Sequence, residues 1–169
     1  MRESVPQLIE GLLPAFAEPL RERAVELRVE LPPDLPEVQV DPIQVEQALL
    51  EIISNALDAM LSGGRLSIEA RAQGNGNGES GVAITLTGTG GGIPEQALPS
   101  VCEPFFTTRP EGTGLGLAIA KRYVQQNGGR LEISSRRGDG TTVVVWLPAA
   151  TSAAASAEAP ATASGARSA

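Results

Sequence analysis

Apolar side chains recur at helical spacing in three segments of the chain, residues 5–16, 42–60 and 115–126. Ser4 and Asp41 precede the first two segments, and each is followed closely by a proline. A small polar residue and then a proline is the usual signature of a helix N-terminus. The pattern therefore predicts three helices, the first bent at its internal proline and the second largely buried.

Strand-like patterns lie between and after these helices. Residues 25–31 alternate strictly between apolar and charged side chains, as a strand with one solvated face does. Residues 65–72 and 82–87 flank the loop GNGNG, which predicts an antiparallel hairpin. Residues 130–135 and 141–147 add two further strands. Helices on one face of this mixed sheet give an α/β fold, a two-layer α/β sandwich.

Composition narrows the class of protein. The chain has 169 residues, a net charge of -7, no histidine and one cysteine, Cys102. An acidic balance argues against nucleic acid as a partner, and no apolar run reaches the roughly 20 residues of a membrane span. We therefore expect no membrane contact. A single cysteine excludes an internal disulfide, which fits a reducing, cytoplasmic setting. One domain is predicted over residues 1–148, followed by a disordered Ala/Ser-rich tail over residues 149–169.

Three polar residues form a stripe on the second predicted helix, within EIISNALDAM. Glu51, Asn55 and Asp58 lie at positions i, i+4 and i+7, so they share one face of an otherwise apolar helix. A solvated helix face explains two charges. It explains less well an amide flanked by isoleucine, alanine and leucine, which favours a binding role for Asn55.

Two glycine-rich stretches are candidate ligand loops. In EGTGLGLAIAKRY, Gly112, Gly114 and Gly116 free the backbone to approach a phosphate where a helix begins, although a tight loop explains them equally well. In LTGTGGGIP, Gly90 and Gly92 allow the close approach of a flat ligand. Ile93 then supplies an apolar wall. Taken alone, this second stretch is an ordinary loop.

In this order the motifs resemble the catalytic, ATP-binding domain (HATPase_c) of two-component sensor histidine kinases. This domain belongs to the GHKL superfamily, which also contains DNA gyrase, heat-shock chaperone ATPases and mismatch-repair ATPases. The resemblance covers residues 5–148. The matching stretches are DPIQVEQALLEIISNALDAM, GTGGGIP, EPFFTT, GTGLGLAIAKRYVQQNGG and GDGTTVVVWLP. EPFFTT and GTGLGLAIAK resemble most the nitrogen-regulation type of sensor kinase.

The resemblance implies a Bergerat fold that binds ATP with Mg²⁺. By it, Asn55 is the Mg²⁺ ligand, Glu51, Asn55 and Arg109 form the catalytic set, and Thr141 lies near adenine. The residues that it implies in nucleotide binding are Asn55, Asp58, Gly88, Gly90, Gly92, Ile93, Thr108, Arg109, Gly112, Thr113, Gly114, Leu115, Gly116, Leu117 and Thr141. Mg²⁺ chemistry agrees, because this ion prefers oxygen ligands and often takes only one or two from protein.

Three positions depart from the family pattern. Gly88 stands where the family has the aspartate that accepts a hydrogen bond from adenine. Losing a bond to a charged acceptor costs roughly 1.5–3 kcal/mol, or about ten- to 150-fold in affinity. Cys102 stands where the family usually has an aromatic residue. Glu51 stands where sensor kinases commonly have asparagine, whereas the gyrase and chaperone relatives have glutamate there.

The function implied is transfer of the ATP γ-phosphate to a histidine, but the chain contains none. The acceptor is therefore expected on a separate dimerisation domain, which would pass the phosphate to a response regulator. The chain is then either a piece of a larger kinase or a module acting in trans. Two alternatives stay open: a degenerate, nucleotide-poor interaction module, motivated by Gly88, and a GHKL-type ATPase that uses Glu51. An anti-sigma serine kinase is a weaker third.

Overall fold

The computed structural model describes residues 1–60, 63–89, 116–136 and 140–150. Within them the helices are α1 (Val5–Leu12), α2 (Ala17–Glu22), α3 (Pro42–Asp58) and α4 (Gly116–Gln126), with a 3-10 helix (Leu13–Phe16) before α2. The strands are β1 (Arg2–Glu3), β2 (Val25–Glu30), β3 (Val38–Gln39), β4 (Gly64–Ala72), β5 (Gly81–Gly88), β6 (Arg130–Arg136) and β7 (Gly140–Pro148). The predicted helices and strands are all present in the described ranges.

The two N-terminal caps predicted from the sequence are formed. The Ser4 hydroxyl accepts the Gln7 backbone N–H at 3.4 Å, and the Asp41 carboxylate accepts the Ile43 N–H at 2.9 Å. The bend expected in the first helix is a change of helix type, because α1 stops before Pro14 and the chain continues as a 3-10 turn. Pro14 has no backbone N–H to donate to the carbonyl four residues earlier, so the α-helical hydrogen bonding is interrupted there.

Five strands form one mixed sheet in the order β2-β4-β5-β7-β6. Strands β2 and β4 are parallel, whereas the other neighbours are antiparallel. The sequence patterns did not predict β1 and β3, which pair with each other outside this sheet. Two residues are too few to show a period of two, so such strands leave no pattern to read.

The core lies between the sheet and the helices, as the alternation of buried residues shows. Ile84 and Leu86 of β5 face the helix layer, and Val143 and Val145 of β7 do the same beside them. Helix α3 packs on this face through its buried residues Val45, Ala48, Leu49, Ile52, Ile53 and Leu57. The two-layer α/β sandwich is therefore confirmed.

The backbone remains bonded to the fold slightly beyond the last strand. The Ala149 N–H donates to the Ser80 carbonyl at 2.9 Å, and the Ala150 N–H donates to the Glu37 carbonyl at 2.7 Å. Residues 151–169 lie outside the described part of the chain, so the disordered tail stays a prediction. Within the described ranges, none of the helices combines the length and the apolar character needed to cross a bilayer.

Candidate functional site

Glu51 lies on the face of α3 that meets the beginning of α4. Its carboxylate accepts a hydrogen bond from the Gln47 side-chain amide at 2.8 Å, one helical turn earlier. Its other carboxylate oxygen lies 3.1 Å from the place that a Cβ on Gly116 would take. Gly116 therefore gives the carboxylate room to reach the first turn of α4, and a negative charge there is favoured by the helix dipole.

Helices α3 and α4 run antiparallel, and Asn127 ties the end of α4 to the start of α3. The Asn127 amide oxygen accepts the Asp41 N–H at 2.7 Å, and its amide nitrogen donates to the Gln44 side chain at 2.9 Å and to the Tyr123 carbonyl at 2.7 Å. At the opposite end of the pair, Gly116 meets Glu51. The hydrogen bonds of Asn127 thus hold the C-terminal end of α4 against the start of α3.

Gly88 ends β5 beneath the last turn of α3. A Cβ placed on Gly88 would lie 3.3 Å from the Met60 Cε and 3.6 Å from the Ala56 Cβ. Thr141 of β7 is paired directly with Gly88. Since the buried Val143 is two residues further along β7, Thr141 shares its side of the sheet and faces the helix layer beside Gly88.

The approach of β7 to the end of β5 depends on a second glycine. Gly140 has a φ of +89°, a conformation that L side chains rarely adopt. A Cβ on Gly140 would fall on the carbonyl oxygen of Gly88 and lie 3.1 Å from the Thr89 Cα. Glycine at position 140 therefore permits the contact that brings Thr141 and Gly88 side by side.

Asp58 occupies the last turn of α3 and contacts an arginine from the turn before β2. The Arg23 guanidinium lies 3.7 Å from the Asp58 carboxylate, while its Nε is buried and has no hydrogen-bond partner among the described residues. About half of the Asp58 side chain is exposed. The pair is too long and too exposed to stabilise the fold by much.

Glu51, Asn55 and Asp58 lie along one stripe of α3, and the two ends of this stripe contact different parts of the fold. Glu51 meets the start of α4, and the turn after Asn55 covers Gly88. Asn55 is half-buried between them. Leu117 instead packs in the core, at 7% exposure. Nine predicted binding residues lie outside the described ranges: Gly90, Gly92, Ile93, Thr108, Arg109, Gly112, Thr113, Gly114 and Leu115.

Three residues at the site were not identified from the sequence. Gln47 precedes Glu51 by four residues, a spacing that places two side chains on one helix face and could have suggested their contact. Met60, 2% exposed, looks from its pattern like an ordinary core residue. Asn127 carries no local signal, because two of its partners are more than 80 residues away along the chain.

The oxygen atoms that α3 offers suit a metal ion that takes most of its ligands from water and from phosphate groups. The described residues contain no group of three or more His, Cys, Asp and Glu side chains that could enclose an ion. Glu51 and Asn55 nevertheless offer a carboxylate and an amide oxygen about one helical turn apart. Mg²⁺ is commonly bound by one or two such protein oxygens together with water and phosphate oxygens. The residues present therefore fit this ion.

Comparison with known proteins gives consistent results. Residues 40–151 match the family described as "Histidine kinase-, DNA gyrase B-, and HSP90-like ATPase". Sensor histidine kinase ZraS of Escherichia coli strain K12 is 38% identical over 141 residues, which are 83% of this chain and 29% of ZraS. Sensor protein FixL of Bradyrhizobium diazoefficiens is 32% identical over 148 residues, covering 88% of this chain and 29% of FixL.

A solved structure shows the same likeness. The mycobacterial sensor histidine kinase MprB superimposes with a TM-score of 0.73 at 28% identity, covering 88% of this chain and 97% of that chain. The chain spans less than a third of the length of the curated relatives ZraS and FixL. The region shared with this chain is thus only part of these two curated relatives.

Proposed function

Because this chain belongs to the family of histidine kinase-, DNA gyrase B- and HSP90-like ATPases, we propose that it is the ATP-binding catalytic domain of a sensor histidine kinase of the nitrogen-regulation type. It transfers the γ-phosphate of ATP to a histidine on a dimerisation domain, which passes the phosphate to a response regulator in the cytoplasm. The observation that carries this proposal is the contact between Glu51 and Gly116, because it brings the polar stripe of α3 to the N-terminus of α4.

The N-terminus of α4 is the natural place for the phosphates. Backbone N–H groups in the first turn of a helix have no partner within the helix, and the dipole favours negative charge there. Gly116 begins α4, and the glycines predicted to contact phosphate come directly before it. The family resemblance and the helix geometry therefore both support the place where Glu51 meets Gly116 as the phosphate end of the site.

Glu51 makes the charge balance at this end unusual. Its carboxylate already lies at the first turn of α4, so phosphates bound there would meet a second negative group. Mg²⁺ bound by Glu51, Asn55 or both would supply positive charge between carboxylate and phosphate and polarise the phosphoryl group. We therefore expect nucleotide binding by this chain to depend strongly on Mg²⁺.

The experiment is a comparison of Asn55→Ala with Ser54→Ala, an exposed neighbour on the same helix. ATP affinity is measured by calorimetry with Mg²⁺ and with EDTA, and transfer of labelled phosphate is followed after adding a histidine-bearing dimerisation domain. Asn55→Ala should weaken Mg-ATP much more than metal-free ATP and prevent labelling, whereas Ser54→Ala should behave as wild type. Equal weakening with and without Mg²⁺ would contradict a metal-ligating Asn55.

A second candidate function, ATP hydrolysis, is favoured by the same position of Glu51. A half-buried carboxylate beside the phosphate end can accept a proton from water and so act as a general base. In that case the isolated chain hydrolyses ATP, and Glu51→Gln abolishes turnover while it preserves affinity. Under the kinase proposal, hydrolysis is negligible in both proteins and label appears only on the added histidine.

A failure of the wild-type chain to bind ATP would contradict both catalytic proposals. The chain contains no histidine, so labelling of the chain alone on histidine is not an outcome. If wild type binds no ATP at millimolar concentration with Mg²⁺, both catalytic proposals are wrong. The degenerate interaction module is then the correct description.

A further inference from the structure

The end of β5 has no side chain at the point where the sheet meets the last turn of α3. The three atoms nearest to a Cβ placed on Gly88 are the Met60 Cε at 3.3 Å, the Ala56 Cβ at 3.6 Å and the Met60 Sδ at 3.9 Å. All three belong to apolar side chains. Among the described residues, the atoms nearest to position 88 on the helix side are therefore methyl and thioether groups.

The hydroxyl of the neighbouring Thr89 is bonded to β4 and to Met60. It accepts the Arg65 N–H at 2.9 Å and donates to the Met60 Sδ at 3.7 Å. The hydroxyl on the next strand belongs to Thr141, which is paired with Gly88 and half-buried. A threonine hydroxyl can donate one hydrogen bond and also accept hydrogen bonds.

We infer that the nucleotide site of this chain does not discriminate strongly between adenine and 6-keto purines, so that it accepts GTP and ITP nearly as well as ATP. This inference rests on the proposed function, with the purine edge directed at Gly88. Adenine presents an amino donor at its six-position, whereas guanine presents a keto acceptor there. A carboxylate can only accept, so it would select adenine, and glycine at position 88 supplies no such acceptor.

Met60 packs behind position 88 as part of the core. It is 2% exposed and lies against Gly88. Its thioether side chain provides no charged hydrogen-bond acceptor. Selectivity between purines would need a fixed donor or acceptor, and position 88 supplies none from a side chain.

The test measures the affinities of Mg-ATP, Mg-GTP and Mg-ITP for wild type, Gly88→Asp and Gly88→Asn. ITP has the 6-keto group without the 2-amino group of GTP, so it isolates the contact in question. In wild type the three dissociation constants should agree within about tenfold. Gly88→Asp should favour ATP over ITP by a further factor of about ten to 150, the value of one hydrogen bond to a charged acceptor.

Gly88→Asn is the matched control, since asparagine has the size of aspartate but can donate as well as accept. It crowds Met60 equally and should leave the ATP to ITP ratio near that of wild type. Thermal melting checks that each variant is folded. If Gly88→Asp does not fold, the wild-type ratio decides the question alone.

The outcomes separate this inference from the proposal on which it rests. A wild-type preference for ATP above about tenfold over both other nucleotides overturns the inference and leaves the kinase proposal standing. A folded Gly88→Asp with an unchanged ATP to ITP ratio also overturns it, because the purine edge then lies elsewhere. If none of the three nucleotides binds at millimolar concentration, the proposed function itself is wrong.

Discussion

Replacing Asn127 by alanine removes the side chain that joins the end of α4 to the start of α3. Three hydrogen bonds of 2.7, 2.9 and 2.7 Å are lost, to the Asp41 N–H, the Gln44 side chain and the Tyr123 carbonyl. Each contributes roughly 0.5–1.5 kcal/mol net, and water can replace part of them at this partly exposed position. We expect a loss of about 2–3 kcal/mol in the free energy of unfolding.

In a domain of this size, that loss corresponds to a decrease in Tm of roughly 4–12 °C. Thermal and urea unfolding measure it, with Gln126→Ala as the control, because this exposed neighbour should change stability by no more than about 0.5 kcal/mol. Nucleotide affinity should also fall, since the start of α4 is then held less firmly against Glu51. A variant that melts within about 1 °C of wild type would refute the reasoning, because the three bonds would then contribute nothing.

Three further predictions concern the backbone and the chain end. Ala24→Gly should raise Tm by roughly 2–4 °C, because Ala24 has a φ of +54° and a left-handed conformation costs a non-glycine residue about 1 kcal/mol; a lower Tm would contradict this. Gly140→Ala should cost about 3 kcal/mol or prevent folding, since the added Cβ would fall on the Gly88 carbonyl and φ is +89°; near wild-type urea unfolding would show that β7 can shift. Truncation after Ala150 should leave melting and ATP affinity unchanged, and a loss of several degrees would show that the tail packs.

The main elements could be predicted because each carries a local signal. Asp41 before Pro42 specifies the start of α3, and the alternation in residues 25–31 specifies β2. The pairing of β2 with β4 has no such signal, since a parallel neighbour depends on how the intervening helix packs. The same holds for β1 and β3, which consist of two residues each.

The candidate site was predicted only in part, for the same physical reason. Spacing along α3 is enough to place Glu51, Asn55 and Asp58 on one stripe. It says nothing of what covers each end of the stripe, because the contacts of Glu51 with Gly116 and of Ala56 with Gly88 join residues that are distant along the chain. The role of Arg109 and of the glycines from Gly90 to Gly114 stays a prediction.

Glu51 and Gly88 depart from the family pattern at different places along α3. Glu51 lies in the middle of α3 and meets the start of α4, whereas Gly88 lies on β5 beneath Ala56 and Met60, five and nine residues further along. Under the proposed function, the base end lacks a charged acceptor, while the phosphate end has a carboxylate that Mg²⁺ could bridge. Nucleotide binding should therefore depend less on the base and more on Mg²⁺ and the phosphates. Because Glu51 contacts the start of α4 and position 88 contacts Met60, two different parts of the fold, the effects of Gly88→Asp and Glu51→Gln on Mg-ATP affinity should add within about 0.5 kcal/mol. A larger coupling in the double variant would mean that the middle and the end of α3 shift together when nucleotide binds.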